Sequence, residues 1–187
     1  MSKTLPSQRM TVEEFLVWAE AQEKGRYELD NGEIVAMSPE QAQHLRVKGA
    51  VFLSLGAAIK RAGVPCEAFP DGATVRIDAH TAFEPDASVN CGRRMDDAEL
   101  VAPSPVIVVE VLSPSTEHRD HTHKLAHYFR VQSIQHYLIV DPNARLIVHH
   151  KRGVGDALET RIVAKGSIKL DPPGLEITAE DVFAGLA

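Results

Sequence analysis

Several things are scarce in this 187-residue chain. Aromatic residues make up 5%, with a single tryptophan, Trp18, which leaves little surface on which unpaired bases could stack. Two cysteines occur, Cys66 and Cys91, too few for a disulfide scaffold and consistent with a reducing compartment. No apolar run approaches the roughly 18 residues a membrane span needs. The opening Met1-Ser2-Lys3-Thr4-Leu5-Pro6 lacks a signal-peptide core, so secretory and membrane-spanning readings fall away and a cytoplasmic protein is expected. A basic excess is also missing: Lys+Arg 20 against Asp+Glu 26 gives a net charge of −6. That argues against coating nucleic acid through bulk charge, although a local basic groove survives the objection. There is no glycine-rich phosphate loop, since Lys165-Gly166-Ser167 reads as a turn, and no repeat, low-complexity tract or interdomain linker. What remains, 44% hydrophobic and 25% charged, is an ordinary soluble globular mix.

The length suits one domain, residues 10–187, preceded by a flexible polar segment, residues 1–9. Thr11 with Glu14 forms a capping box, opening a helix that carries Val12, Phe15, Leu16 and Ala19 on one face and fades near Gly25. Asn31-Gly32 between the alternating runs 26–30 and 33–37 signals a hairpin, because both turn residues must take positive φ. A long helix is predicted from Gln41 to Arg61, with Leu45, Val51, Phe52, Leu55 and Ile59 inward and Gly63 as its stop. Short strands are expected at 66–69, 74–77 and 86–89, and residues 90–104 read as a surface loop. The run 106–112 is β-branched and almost wholly apolar, the mark of a strand buried on both faces. A helix at 117–130, a strand at 136–140, a hairpin from 146–151 and 160–164, and a helical turn at 178–183 complete the chain. This order predicts an α/β fold, a mixed sheet flanked by helices.

Glu110 is the most informative residue. It interrupts an apolar strand, where an isolated carboxylate costs several kcal/mol, so it must be ion-paired, protonated or bound to a cation. By strand alternation it shares a face with Val108 and Leu112. Asp86 follows Pro85 and belongs at a strand end; alone it reads as a turn aspartate, and it gains meaning if Glu110's strand lies beside it. Lys124, four residues before Tyr128 and near Leu125 and Phe129, can reach a cleft edge; with Asp120 four residues earlier, it also reads as half of a solvated helix pair. Two carboxylates and a lysine on neighbouring elements suit Mg²⁺, which takes oxygen ligands and keeps waters for exchange.

Histidines offer a rival. His118, His121, His123 and His127 crowd one segment, and His123-Lys124-Leu125-Ala126-His127 has the spacing of a zinc-protease helix. Lys124 stands where that mechanism needs a glutamate base, so a solvated histidine-rich helix, or incidental metal binding, is the plainer reading. Arg93, Arg94, Lys48, Lys60 and Arg61 could contact phosphates or simply solubilise, His149-His150 says little, and Trp18 reads as a core anchor.

The pattern Pro85-Asp86, Glu110-Val111-Leu112-Ser113-Pro114-Ser115-Thr116, Asp120, Lys124, Tyr128 and Tyr137-Leu138-Ile139-Val140-Asp141-Pro142 resembles the Uma family of restriction endonucleases, within the PD-(D/E)XK nuclease superfamily. Tyr27 to Ile34, Ser38-Pro39 and His44 extend the likeness, which covers roughly residues 10 to 184. It implies a restriction-endonuclease-like fold. It also implies Mg²⁺ (or Mn²⁺) held by Asp86 and Glu110 with Glu28 as an accessory acid, Lys124 as the catalytic lysine, and DNA as substrate. The superfamily's lysine two residues after the glutamate is Leu112 here, so Lys124 would act from the helix instead. The expectation is a Mg²⁺-dependent endonuclease acting as a homodimer, since two cuts in a duplex call for two centres. Its alternatives are a non-catalytic nucleic-acid-binding or regulatory protein that keeps the fold, and a histidine-based metal hydrolase.

Overall fold

The computed structural model describes residues 9–113 and 121–186. In chain order its elements are α1 (Val12–Glu20), β1 (Tyr27–Asp30), β2 (Glu33–Ala36), α2 (Ala42–Ala62), β3 (Cys66–Pro70), β4 (Val75–Arg76), β5 (Ala82–Phe83), β6 (Ala87–Cys91) and β7 (Pro105–Val111). Then follow α3 (His121–Tyr128), β8 (His136–Asp141), β9 (Leu146–Arg152), β10 (Leu158–Val163), β11 (Ser167–Leu170), β12 (Leu175–Thr178) and α4 (Ala179–Val182). Residues 1–8 of the expected flexible segment, and the start of the helix predicted at 117, lie outside the described residues.

The local signals behave as their chemistry requires. Thr11 Oγ1 accepts from the Glu14 backbone N–H at 3.2 Å, and Glu14 Oε2 accepts from the Thr11 N–H at 2.8 Å, closing the capping box of α1. Asn31 and Gly32 take φ of 53° and 84°, the left-handed pair that a tight hairpin turn needs. Gly63 ends α2 at φ 65° and donates its N–H to the Ile59 carbonyl.

Six strands form the main sheet in the order β10-β9-β8-β7-β6-β3. β7 and β8 are parallel and joined through α3, while the other neighbours run antiparallel. β7 is therefore interior, and its side chains alternate between two cores. Ile107, Val109 and Val111 pack with Val47, Val51 and Leu55 of α2 and with the β11–β12 hairpin and α4. Val108 packs on the other face with Tyr128, Ile134, Tyr137 and Ile139, beside Leu112. A second sheet, β2-β1-β5-β4, carries α1 through Val12, Phe15, Leu29 and Ala82. Trp18 lies half-buried there, edge-on to Tyr27 with ring centroids 4.8 Å apart.

Four expectations need correction. The inward stripe of α2 is His44, Val47, Lys48, Val51, Leu55 and Ala58; Leu45 is 51% exposed, and Phe52 and Ile59 are only half-buried. The polar His44 and Lys48 continue the Val47–Val51–Leu55 row at helical spacing, and Leu45 sits one step off it. Second, β6 continues through Cys91 into the expected loop. Asn90, buried, donates to the Arg93 carbonyl at 2.8 Å and accepts from the Ser104 N–H at 2.8 Å, tying the loop's ends together. Third, β11 begins at Ser167, so the turn read there leads into a hairpin that the sequence did not announce. Fourth, Cys66 and Cys91 face each other in the β3–β6 register with Cα atoms 4.1 Å apart and form a disulfide, where two thiols in a reducing compartment were expected. Among the described residues, no helix is long and apolar enough to cross a membrane.

Candidate active site

The site forms where β7 ends. Ala87 pairs with Val109 across the β6–β7 ladder, so Asp86 lies one step further, opposite Glu110. Asp86 Oδ2 accepts the Val111 N–H at 2.7 Å, taking the place of a backbone partner just beyond β6. On the α2 side, His44 Nε2 lies 2.9 Å from the Val111 carbonyl and 3.3 Å from Asp86 Oδ2. A carbonyl only accepts, so Nε2 carries a proton. Lys48 Nζ completes the grip at 3.2 Å from Asp86 Oδ1. Burial works to raise the Asp86 pKa, but the His44 hydrogen bond and charge, the Val111 N–H and the Lys48 charge outweigh it and hold the carboxyl below its ordinary range.

On the α3 side, Lys124 Nζ bridges Glu28 Oε1 at 2.8 Å and Glu110 Oε1 at 2.9 Å, with the Phe83 ring centroid 5.1 Å away. The Tyr128 hydroxyl donates to the same Glu110 oxygen at 2.6 Å. Glu28, on β1, is 2% exposed, and its Oε1 also accepts from the Glu84 N–H at 3.1 Å. Burial pushes the Glu110 carboxyl up to about 7; Lys124 pulls it down, and the charges of Asp86 and Glu28 push it back up. Lys124 goes the other way: burial disfavours its charge, but Glu110 and Glu28 more than compensate and raise it above an ordinary lysine. Burial foremost raises Tyr128 and Tyr137 well above a free phenol, so both stay neutral.

An ion-pair network continues outward. Lys48 meets Glu40 and Asp71, and Arg26 meets Glu40, Asp71 and Glu84 at 2.8–3.1 Å. Six carboxylates (Glu28, Glu40, Asp71, Glu84, Asp86 and Glu110) thus face three permanent cations, Arg26, Lys48 and Lys124. The surplus of negative charge and the all-oxygen donors of Glu28, Asp86 and Glu110 suit a hard divalent cation.

The structure brings Glu110, Lys124 and Glu28 into direct contact. It sets Asp86 at the end of the neighbouring strand, opposite Glu110, where its charge helps to raise the Glu110 carboxyl. The grouping in which Asp86 has ligand atoms within 4.8 Å of one another is with Glu40 and His44. Other residues singled out in the sequence make different contacts from those expected or lie away from this cluster. Lys48 is 5% exposed and locked in ion pairs, so it is no free phosphate contact. Arg93 is held bidentately by Glu99, and Arg61 donates to the Glu176 carbonyl. His149 is buried against His136, and His150 meets the Thr160 hydroxyl. His118 and Asp120 lie outside the described residues. His123 and His127 face Asp30 of the hairpin, while Lys124 between them turns to the carboxylates. Sequence reasoning missed the roles of His44, Lys48, Tyr128, Glu40, Asp71 and Arg26. One signal was readable: Glu40, His44 and Lys48 are spaced by four and run into an apolar stripe, the same anomaly that exposed Glu110.

A mixed sheet with a parallel β7–α3–β8 crossover, and acidic side chains gathered at the end of its interior strand, defines a nuclease-like α/β fold. A crystal structure of a putative nuclease belonging to DUF820 from Anabaena variabilis matches it with a TM-score of 0.73 over 95% of this chain and 99% of that one, at 18% identity. The family model described as Uma2, putative restriction endonuclease, matches residues 12–186, and the chain belongs to that family. It is also 30% identical to the uncharacterized protein slr1290 of Synechocystis sp. over 188 residues, covering 100% of this chain and 97% of that protein.

Proposed function

We propose that the chain is a divalent-metal-dependent endonuclease that hydrolyses DNA phosphodiester bonds in the PD-(D/E)XK manner, as a homodimer. Asp86 and Glu110 would hold Mg²⁺ or Mn²⁺, with Glu28 alongside, and Lys124 would act from α3 in place of the strand position occupied by Leu112. The observation that carries this reading is the Lys124 ammonium 2.9 Å from Oε1 of Glu110, a carboxyl that burial first, and then the charges of Asp86 and Glu28, push up to about 7 despite that ammonium. Bound there, a divalent ion supplies a water of lowered pKa and positive charge for a phosphate oxygen.

The chain's own groups have separable tasks. Asp86 stays ionised at any physiological pH because His44, the Val111 N–H and Lys48 stabilise its charge. Lys124, raised in pKa, cannot serve as a base near neutrality; it stabilises developing negative charge on the nucleophile and the phosphate oxygens. Tyr128 fixes one oxygen of Glu110, and Glu28 fixes Lys124.

One observation favours a second reading. Lys124 already bridges Glu28 and Glu110, a self-consistent ion pair, which also suits a nucleic-acid-binding protein that keeps the fold without cleavage. Incubation with supercoiled plasmid and Mg²⁺ or Mn²⁺ separates the two. Nicking that stops in EDTA, and that Lys124→Ala lowers by orders of magnitude with DNA binding intact, is the expected result. Equal DNA binding by both proteins without cleavage in any divalent metal would leave the binding protein; cleavage of RNA alone would change the substrate.

A further inference from the structure

Beside the carboxylate cluster, but separate from it, α3 presents a second stripe. Lys124 and Tyr128 face Glu110; His123 and His127, each one position earlier, face the end of β1. Asp30, the last residue of β1, places both carboxylate oxygens 3.0–3.1 Å from His123 Nε2. The two imidazole centroids are 4.1 Å apart. One ligand atom from each of Asp30, His123 and His127 lies within 4.8 Å of the others. Tetrahedral ligands about 2.0–2.1 Å from Zn²⁺ stand roughly 3.3 Å apart, so binding would need small side-chain adjustments and the release to solvent of the proton by which His123 Nε2 now bonds Asp30.

A further hydrogen bond prepares the donor. His127 Nδ1 lies 2.8 Å from the His123 carbonyl, which only accepts. Nδ1 therefore carries a proton, so the neutral form of the ring has its lone pair on Nε2, the tautomer fixation typical of metal-binding histidines. Phe83 sets an apolar wall, its ring edge-on to both imidazoles with centroids 6.4 and 5.8 Å away. His123 remains 42% and Asp30 32% exposed at the side chain, which gives an ion access and open positions for water.

We propose that Asp30, His123 and His127 form a site for a borderline transition-metal ion of the Zn²⁺ class, linking the β1–β2 hairpin to the helix that carries Lys124. Two imidazoles and one carboxylate suit Zn²⁺, Co²⁺ or Ni²⁺ and suit Mg²⁺ poorly, so the molecule would hold two chemically distinct metal positions. An ion here clamps α3 to β1, the two elements that supply Lys124 and Glu28. The site stands whether or not the neighbouring cluster cleaves DNA.

The test uses the untagged full chain. Co²⁺ absorption and competition of Zn²⁺ against a chromophoric chelator report binding, and thermal melts in EDTA and in Zn²⁺ report coupling to the fold. One high-affinity equivalent with a tetrahedral Co²⁺ spectrum, and a rise in melting temperature with Zn²⁺, is expected for the wild type. His127→Gln and Asp30→Asn should each weaken Zn²⁺ by more than the roughly 10–100-fold that loss of a mere supporting partner costs. Both should melt like wild type in EDTA, which shows that they fold. Glu110→Gln should keep the full Zn²⁺ response. A Zn²⁺ response that survives in both variants, disappears with Glu110→Gln, or depends only on His118 or His121 would overturn the proposal. So would a wild type that binds no Co²⁺ below millimolar concentrations.

Discussion

Glu110 ties the electrostatics of the cluster together, because its carboxyl sits at a pKa of about 7 between one cation and two other carboxylates. Removing the cation has a calculable consequence. Lys124→Ala leaves Glu28 and Glu110 buried without their shared ammonium, a loss of about 3 kcal/mol or more at high pH. The folded variant then binds a proton on Glu110 more readily than the unfolded chain does, so its deficit shrinks as pH falls from 8 towards 5. Urea denaturation of both proteins at those pH values measures it; a deficit independent of pH would mean that Glu110 does not titrate with Lys124. At this scale Glu110 was conspicuous in the sequence, because a carboxylate breaks the rule of burial inside an apolar strand. Asp86 alone read as a turn aspartate and Lys124 as half of a solvated helix pair, and only the family resemblance joined them to Glu110. Tyr128 was not conspicuous, since a tyrosine on a buried helical face needs no second explanation, and its bond to Glu110 depends on the packing of α3 against β7.

Elements differ in how far local chemistry decides them. Thr11 caps α1 with its own side chain, so Thr11→Ala should cost about 1 kcal/mol, read as a lower urea midpoint with an unchanged m-value. A change in m-value would instead mean that α1 detaches from the hairpin before the rest unfolds. The capping box, the Asn31-Gly32 turn and the Gly63 stop were readable because each rests on residues a few positions apart. The face of α2 was misread because hydrophobicity alone favoured Leu45 over His44 and Lys48, whose burial depends on Asp86 and Val111, distant in sequence. The Cys66–Cys91 bridge has the same origin: the β3–β6 register makes the two residues neighbours across 25 positions.

For the whole molecule, two buried groups set opposing pH dependences. His136 and His149 are buried with ring nitrogens 2.9 Å apart, and burial first, then neighbouring positive charge, lowers each to about 4. His136 Nε2 must donate to the Pro172 carbonyl, and with both rings neutral its Nδ1 accepts from His149 Nε2, whereas charging both rings leaves two N–H groups facing each other. Unfolded histidines bind protons near pH 6.5, so this pair withdraws stability as pH falls from 6.5 towards 4, by up to about 1.4 kcal/mol per pH unit for each ring. Glu110 acts in the opposite sense: raised from 4.5 to about 7, it binds its proton in the folded state first and adds stability as pH falls through that window. In EDTA, Glu110→Gln should therefore lose stability more steeply than wild type between pH 6.5 and 5, and thermal melts across that range would show it; parallel profiles would contradict the raised carboxyl.

The central claim is that Glu110 serves as a metal ligand and is not merely the ion-pair partner of Lys124. Thermal melts of wild type and Glu110→Gln, in EDTA and in Mg²⁺, test it most directly. The glutamine keeps an oxygen for Tyr128, and Lys124 keeps Glu28, so the two proteins should melt close together in EDTA. Mg²⁺ at a hundredfold excess over Kd should stabilise the wild type by about 2.7 kcal/mol and leave the variant nearly unmoved. A variant that melts far below wild type in EDTA, with no Mg²⁺ response in either protein, would contradict the account.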